Sequence, residues 1–109
     1  MEKLDLVNNL WGGIIYDIKL DMIVQRIIFN VKVHMQKKIE YYELIFEKVF
    51  EFNFINEYKS YIWNYIELTS IGIEKEKDEY SILIELWDDE FTIKCENYEL
   101  NLIYEESVE

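Results

Sequence analysis

The sequence predicts an α+β fold that is mainly β, with a short N-terminal helix followed by an antiparallel sheet of six or seven strands. Apolar and polar residues alternate with a period of two along most of the chain, which is typical of strands with one face in water. The segments between these runs are too short for the crossovers that parallel strands need. The 109 residues include no proline, so a single domain spanning 1–109 with uninterrupted strands is expected.

The helix is predicted at the N-terminus. Leu4, Val7 and Leu10 recur at helical spacing, followed by Trp11. Gly12-Gly13 comes next, and glycine commonly ends a helix.

The strands are predicted from the alternating runs that follow. Residues 67–73 also favour a strand, because Thr69, Ile71 and Ile73 are β-branched and share a parity. Residues 55–66 fit a helix about as well as a strand. The sheet is expected either to curl into a barrel or to split into a sandwich. The alternating runs are residues 14–21, 27–34, 44–54, 80–87, 91–95 and 99–105.

Composition excludes several classes of protein. Half of the residues are apolar, so the chain is not disordered. Asp and Glu number 23 against 11 Lys and Arg, a formal net charge of −12, which argues against nucleic acid as a partner. The lone Cys95 excludes a disulfide framework and fits a reducing compartment. No secretory signal or membrane-spanning run is evident, so we expect a cytoplasmic protein that binds no membrane.

The negative charge is concentrated in the last third of the chain. Residues 1–73 carry a net charge of −2, whereas residues 74–109 carry −10. A solvated surface that keeps the protein soluble would explain this asymmetry. The alternative is an acidic patch that attracts a basic protein.

No catalytic set emerges from the sequence, so we expect no enzyme activity and no cofactor. Cys95 and His34 are the only Cys and His, but their parities place Cys95 inward and His34 outward. No serine lies in a nucleophile-elbow motif. One His and one Cys do not make a zinc site, and Asp88-Asp89-Glu90 lacks the spacing of a calcium loop. No metal is therefore expected.

The candidate partner-binding residues are Trp87, Asp88, Asp89 and Glu90. Trp87 has the opposite parity to the apolar residues of its run and precedes the acidic turn. Tryptophan is enriched at binding hot spots, so this segment combines an aromatic anchor with acidic charge. Ordinary packing of a second sheet face would also explain Trp87.

Two stretches resemble a known group of proteins. They are Leu10-Trp11-Gly12-Gly13-Ile14-Ile15-Tyr16-Asp17 and Trp63-Asn64-Tyr65-Ile66-Glu67-Leu68-Thr69-Ser70-Ile71, together 17 of 109 residues. With the size and acidity of the chain, they resemble the small cytosolic immunity proteins found beside bacterial polymorphic toxins. The resemblance implies a single α+β domain that binds and neutralises a toxin, and it assigns no functional residues.

The sequence thus favours a non-catalytic module that binds a basic protein, as an immunity-type inhibitor of a toxin or nuclease would. Two alternatives remain open. The chain could form a homodimer through an exposed strand edge. It could also bind a small ligand inside a barrel.

Overall fold

The residues that the structure describes form nine antiparallel strands in two sheets. The computed structural model describes Leu10 and residues 12–55, 66–86 and 89–107. The strands are β1 (Ile14–Asp21), β2 (Arg26–His34), β3 (Lys38–Glu47), β4 (Glu51–Ile55), β5 (Ile66–Glu67), β6 (Ser70–Glu76), β7 (Glu79–Leu86), β8 (Asp89–Cys95) and β9 (Asn97–Ser107). The predicted antiparallel pairing is confirmed.

The first sheet has the strand order β5-β1-β2-β3-β9, and the second has the order β4-β8-β7-β6. Consecutive strands form hairpins within each sheet, so these connections are short. Four connections join the sheets: β3–β4, β4–β5, β5–β6 and β8–β9. The Val49 N–H donates to the Gln25 carbonyl (2.8 Å) between β3 and β4, and the Thr69 N–H donates to the Glu85 carbonyl (2.8 Å) between β5 and β6.

The core lies between the two sheets and is held by aromatic contacts that cross it. The rings of Phe29 on β2 and Phe91 on β8 meet edge to face with centroids 5.2 Å apart. Tyr80 on β7 and Tyr98 on β9 make a second such pair at 4.9 Å. Side chains from the inner faces of both sheets therefore fill one sandwich core.

The predicted α+β class is wrong. In the part of the chain that the structure describes, every regular element is a strand and none is a helix. The predicted helix over residues 4–11 lies outside the described residues, apart from Leu10, which is in a turn. Nine strands are described instead of six or seven because the predicted runs over 44–54 and 67–73 each divide between two strands of different sheets, β3 and β4 in one case and β5 and β6 in the other. Most of the ambiguous segment 55–66 also lies outside the described residues; Ile55 ends β4 and Ile66 begins β5.

The predicted single run over residues 44–54 is also wrong. It is two strands, β3 and β4, which belong to different sheets. Lys48 adopts a left-handed conformation with φ of 54° between them. The shared parity on both sides is real, but the chain leaves one sheet and enters the other at this residue.

Two β-bulges change which residues face the core. The pairing of β1 with β2 shifts between Ile15 and Asp17, so Tyr16 is the extra residue. The pairing of β9 with β3 shifts at Ile103, which leaves Tyr104 opposite Tyr41. Simple alternation had grouped Tyr16 with Ile18 and Tyr104 with Leu102. A bulge moves the following side chains to the other face of the sheet, so these groupings are wrong.

The two adjacent glycines serve backbone geometry and packing. Gly12 is left-handed, with φ of 80°. Gly13 packs so closely on β2 that a Cβ there would lie 2.7 Å from Val31 Cγ1 and 2.8 Å from the Leu10 carbonyl oxygen. A side chain at position 13 would therefore collide with these atoms, which explains why a glycine packs against β2 there.

Candidate functional site

Several carboxylates lie on the outer face of the second sheet. Residues of β6, β7 and β8 that alternate with the buried core positions point away from the first sheet. We call this surface the acidic face. Its members are Glu51, Glu74, Glu85 and Glu90, with Ser70, Gly72, Ser81, Leu83, Thr92 and Lys94 among them.

Glutamates lie directly opposite each other on this face. Glu85 on β7 is the register partner of Glu90 on β8. Glu76 and Glu79 are paired in the same way beside the β6–β7 turn. Like charges directly across an antiparallel pair are destabilising, because their Cβ atoms are about 5 Å apart. The sheet therefore holds negative charge together in a way that its own stability does not favour.

Basic residues on the acidic face are few. Lys94 lies between Ser81 and Glu51 in the register. Five ion pairs link described residues, and none of them includes Glu74, Glu85 or Glu90. Among the described residues, no ion pair therefore neutralises these three carboxylates.

A shallow open groove of about 560 Å³ crosses the acidic face. Gly72 contributes no side chain, and its position faces open space. Its register partner Leu83 is 37% exposed and forms an apolar patch beside it. Glu74 and Glu90 are among the residues that line the groove. The face thus combines a small apolar depression with surrounding carboxylates, a combination found in protein-binding surfaces.

The residues predicted as a binding site are only partly described. Trp87 and Asp88 lie outside the described residues. Asp89 is 5% exposed and shares the inward parity of Phe91. Glu90 lies on the acidic face. Asp89 and Glu90 therefore point to opposite sides of β8, while their proposed role in binding stays a prediction.

The acidity of the C-terminal third is divided between the sheets. The carboxylates of β6, β7 and β8 belong to the second sheet. Those of β9, which are Glu99, Glu105 and Glu106, lie on an edge strand of the first sheet. Glu105 accepts from Lys38 Nζ at 3.5 Å, and Glu106 accepts from the Tyr41 hydroxyl at 3.0 Å. The carboxylates of β9 are therefore partly matched by local partners.

Tyrosines form a second feature, on the outer face of the first sheet. The rings of Tyr16 and Tyr41 are 6.0 Å apart, and those of Tyr41 and Tyr104 are 5.5 Å apart. The bulges at Tyr16 and Ile103 bring the two end rings of this row, Tyr16 and Tyr104, to the outer face. The hydrogen bond to Glu106 raises the pKa of Tyr41. This row was not predicted, because none of the alternating runs includes Tyr41, which lies in β3.

Cys95 and His34 lie far apart in the fold. His34 is exposed at the end of β2, opposite Ile39 of β3, and Cys95 is buried at the opposite end, in the other sheet. The predictions of an outward His34 and a buried Cys95 are confirmed. Burial raises the pKa of the Cys95 thiol to about 11. The geometry does not bring the two residues together as a dyad.

We expect the stability of the fold to fall as the pH rises from 9 to 11. The fold holds Cys95 as a neutral thiol, with a pKa of about 11 against an ordinary 9.0. Below pH 9 the thiol is neutral in both the folded and the unfolded chain, so the stabilising contribution of Cys95 is fully present. As the pH rises through 11, the unfolded chain loses the thiol proton more readily than the fold does, and the free energy of unfolding falls by about 2 kcal/mol. Urea unfolding at pH 8 and pH 11 measures it. The variant Cys95→Ala should show a weaker decline; equal declines in both proteins would contradict the assignment to Cys95.

Within the described ranges, no group of three or more His, Cys, Asp and Glu side chains is arranged to hold a metal ion. No helix there is long and apolar enough to cross a membrane. The sequence analysis missed Glu51, Glu74 and Glu85 as members of one face. The outward parity of Glu85 was visible, but its neighbours depend on strand pairing.

The two sheets and the acidic face define the protein as a small acidic β-sandwich with an open, carboxylate-bearing sheet face. A family model described as YxiG-like protein matches residues 4–105, so the chain belongs to this family. A comparison with curated proteins finds no match.

Proposed function

We propose that the protein is a non-catalytic binding module that recognises a basic protein through the acidic face. The single observation that carries this proposal is the pairing of Glu85 with Glu90 on an exposed sheet face. Their mutual repulsion is unfavourable in the free protein. Lysine or arginine side chains of a partner would relieve this repulsion. The Glu85–Glu90 pair would therefore favour binding, although it does not stabilise the fold.

The apolar depression adds contact area to this charge. Leu83 beside Gly72 offers a surface on which an aliphatic side chain or an arginine stem can pack. Carboxylates around such a depression would steer the encounter and fix its orientation. Protein–protein interfaces commonly have this arrangement of an apolar centre and a polar rim.

An immunity-type inhibitor is the specific form of this function that we propose. A nuclease or toxin that acts on nucleic acid needs a basic site, and an acidic inhibitor could cover that site. The protein would then act in the cytoplasm, where it would protect the cell that produces it. The long edge strand β9, with Leu102 exposed, suggests a homodimer as a second candidate; light scattering during size exclusion would reveal it.

The double variant Glu85→Gln/Glu90→Gln should bind the partner about tenfold more weakly at low salt. The partner is first captured on immobilised wild-type protein from cells of the source organism and then purified. Calorimetric titration at about 0.05 M and 0.5 M salt gives both affinities. The difference between variant and wild type should shrink at high salt, because screening weakens the lost attraction.

The matched control is Glu43→Gln/Glu99→Gln on the outer face of the first sheet, which removes the same charge elsewhere. This control should keep wild-type affinity within about twofold. Equal losses in both variants would mean that net charge alone matters. If no basic protein is captured at low salt, the proposed function is wrong. The Glu85/Glu90 variant should be slightly more stable than wild type, by about 0.5 kcal/mol.

A further inference from the structure

The turn between β1 and β2 presents three consecutive apolar side chains to solvent. Met22 is 75% exposed, Ile23 is 94% exposed and Val24 is 51% exposed. Turns of this kind usually consist of Gly, Asn, Asp or Ser, which solvate well. An apolar tip at the most exposed point of a hairpin contributes nothing to the core.

The hairpin holds this tip in a defined shape. Asp21 Oδ1 accepts hydrogen bonds from the backbone N–H groups of Ile23 (3.0 Å) and Val24 (3.4 Å). Asp21 and Arg26 close the strand ladder on either side of the turn. The Gln25 carbonyl accepts from the Val49 N–H, which ties the base of the hairpin to the connection between the sheets. The apolar side chains are therefore presented by an ordered turn.

Backbone strain is concentrated at the same end of the sandwich. Three non-glycine residues in the described ranges have a positive φ: Gln25 (55°), Lys48 (54°) and Lys77 (53°). Each lies in a different turn, and these turns share one end of the two sheets, which we call the loop end. Such strain tends to occur where function requires a particular loop shape.

The loop end also carries an acidic groove. Phe50, which follows Val49, is 53% exposed. It lines an open groove of about 450 Å³ together with Glu76, Lys77, Asp78, Glu79 and Glu96. The apolar tip and this groove are connected through the backbone hydrogen bond between Gln25 and Val49. A partner that meets the loop end thus faces an apolar projection and, at the same end, four carboxylates, of which Glu96 pairs with Lys48 (3.6 Å).

We propose that Ile23 inserts into an apolar pocket of a protein partner, and that lysines or arginines bordering this pocket face the acidic groove. This inference rests on the proposed function and names the segment that anchors the complex. A convex aliphatic tip requires a concave apolar site, because removal of its apolar surface from water is what would favour binding. A bilayer fits less well, because the surrounding carboxylates repel the anionic headgroups that attract membrane-binding loops.

A photo-crosslinking benzophenone side chain placed at Ile23 tests this proposal directly. The full-length protein is irradiated in lysate of the source organism, and the adducts are identified by mass spectrometry. The control carries the same group at Ile103, a 52% exposed apolar residue on β9. We expect one protein adduct from Ile23 and none from Ile103, at a peptide that combines apolar residues with Lys or Arg.

The affinity of this purified partner is then measured by calorimetry. Ile23→Asp should weaken binding by about 100-fold, a loss expected for a hot-spot side chain. Ile103→Asp should leave affinity unchanged. Both residues are exposed, so thermal unfolding of the variants should match wild type.

Several outcomes would overturn the inference. These are no adduct from Ile23, an adduct to lipid or to a second copy of the chain, or wild-type affinity of Ile23→Asp. Binding to phosphatidylcholine vesicles that Ile23→Asp abolishes would point to a membrane instead. If Glu85→Gln/Glu90→Gln loses affinity while Ile23→Asp keeps it, the proposed function stands and the anchor is wrong. If neither variant changes the affinity, both proposals fail.

Discussion

Replacing Phe91 with alanine is expected to lower the free energy of unfolding by about 4 kcal/mol. The Phe91 ring contacts Phe29 across the core (5.2 Å) and stacks on Phe52 (5.6 Å) and Phe54 (4.8 Å). Its removal takes away all three ring contacts and leaves a cavity between the two sheets. A small domain is stable by only about 5–15 kcal/mol, so the loss is a large fraction of the total. Urea unfolding followed by circular dichroism measures it.

The matched control is Phe50→Ala. Phe50 is a half-exposed phenylalanine at the loop end, so its loss should change stability by less than about 1 kcal/mol. A double-mutant cycle with Phe29→Ala isolates the contact between the sheets. We expect a coupling energy of about 1 kcal/mol. Additive effects of the two substitutions would contradict a direct contact between the sheets through these rings.

The variant Gly13→Ala should lose about 3 kcal/mol of stability. The added methyl group would lie 2.7 Å from Val31 Cγ1 and 2.8 Å from the Leu10 carbonyl oxygen. The side chain of Val31 is buried, and the Leu10 carbonyl accepts a hydrogen bond from the Gly13 N–H itself (2.8 Å). Neither neighbour can move without disturbing the first sheet. Thermal unfolding and urea unfolding should both show the loss.

Gly72→Ala is the natural comparison, because a Cβ at Gly72 meets nothing within 4 Å. The same chemical change there should be neutral or raise stability by about 0.5 kcal/mol, since alanine restricts the unfolded chain. Similar losses at both positions would show that glycine flexibility matters and that the space around Gly13 does not. The pair therefore separates steric packing from backbone entropy.

Much of the strand content was predictable from the sequence. The shared parity of Ile82, Ile84 and Leu86 located β7 and its inner face, and the parity of Phe91 and Cys95 did the same for β8. This pattern is local, because each residue of a strand points opposite to its neighbour. The burial of Cys95 followed from the same reasoning.

The candidate site was predictable only in part. The charge asymmetry at Ile73 pointed to the C-terminal third, and Glu90 indeed lies on the acidic face. The partners of Glu90 were not visible, because the pairing of Glu85 with Glu90 depends on the register of β7 and β8. The tip from Met22 to Val24 was missed because a turn is normally judged by its polar residues.

The sequence alone determined that this protein is built from antiparallel strands, since hydrophobic alternation and short connections are local properties. The tertiary structure decided how those strands are divided. Lys48 redirects the chain from one sheet to the other, and β9 returns to pair with β3. Bulges at Tyr16 and Ile103 decide which tyrosines face outward. These features arise from hydrogen bonds between segments distant in sequence, so periodicity within one segment does not reveal them.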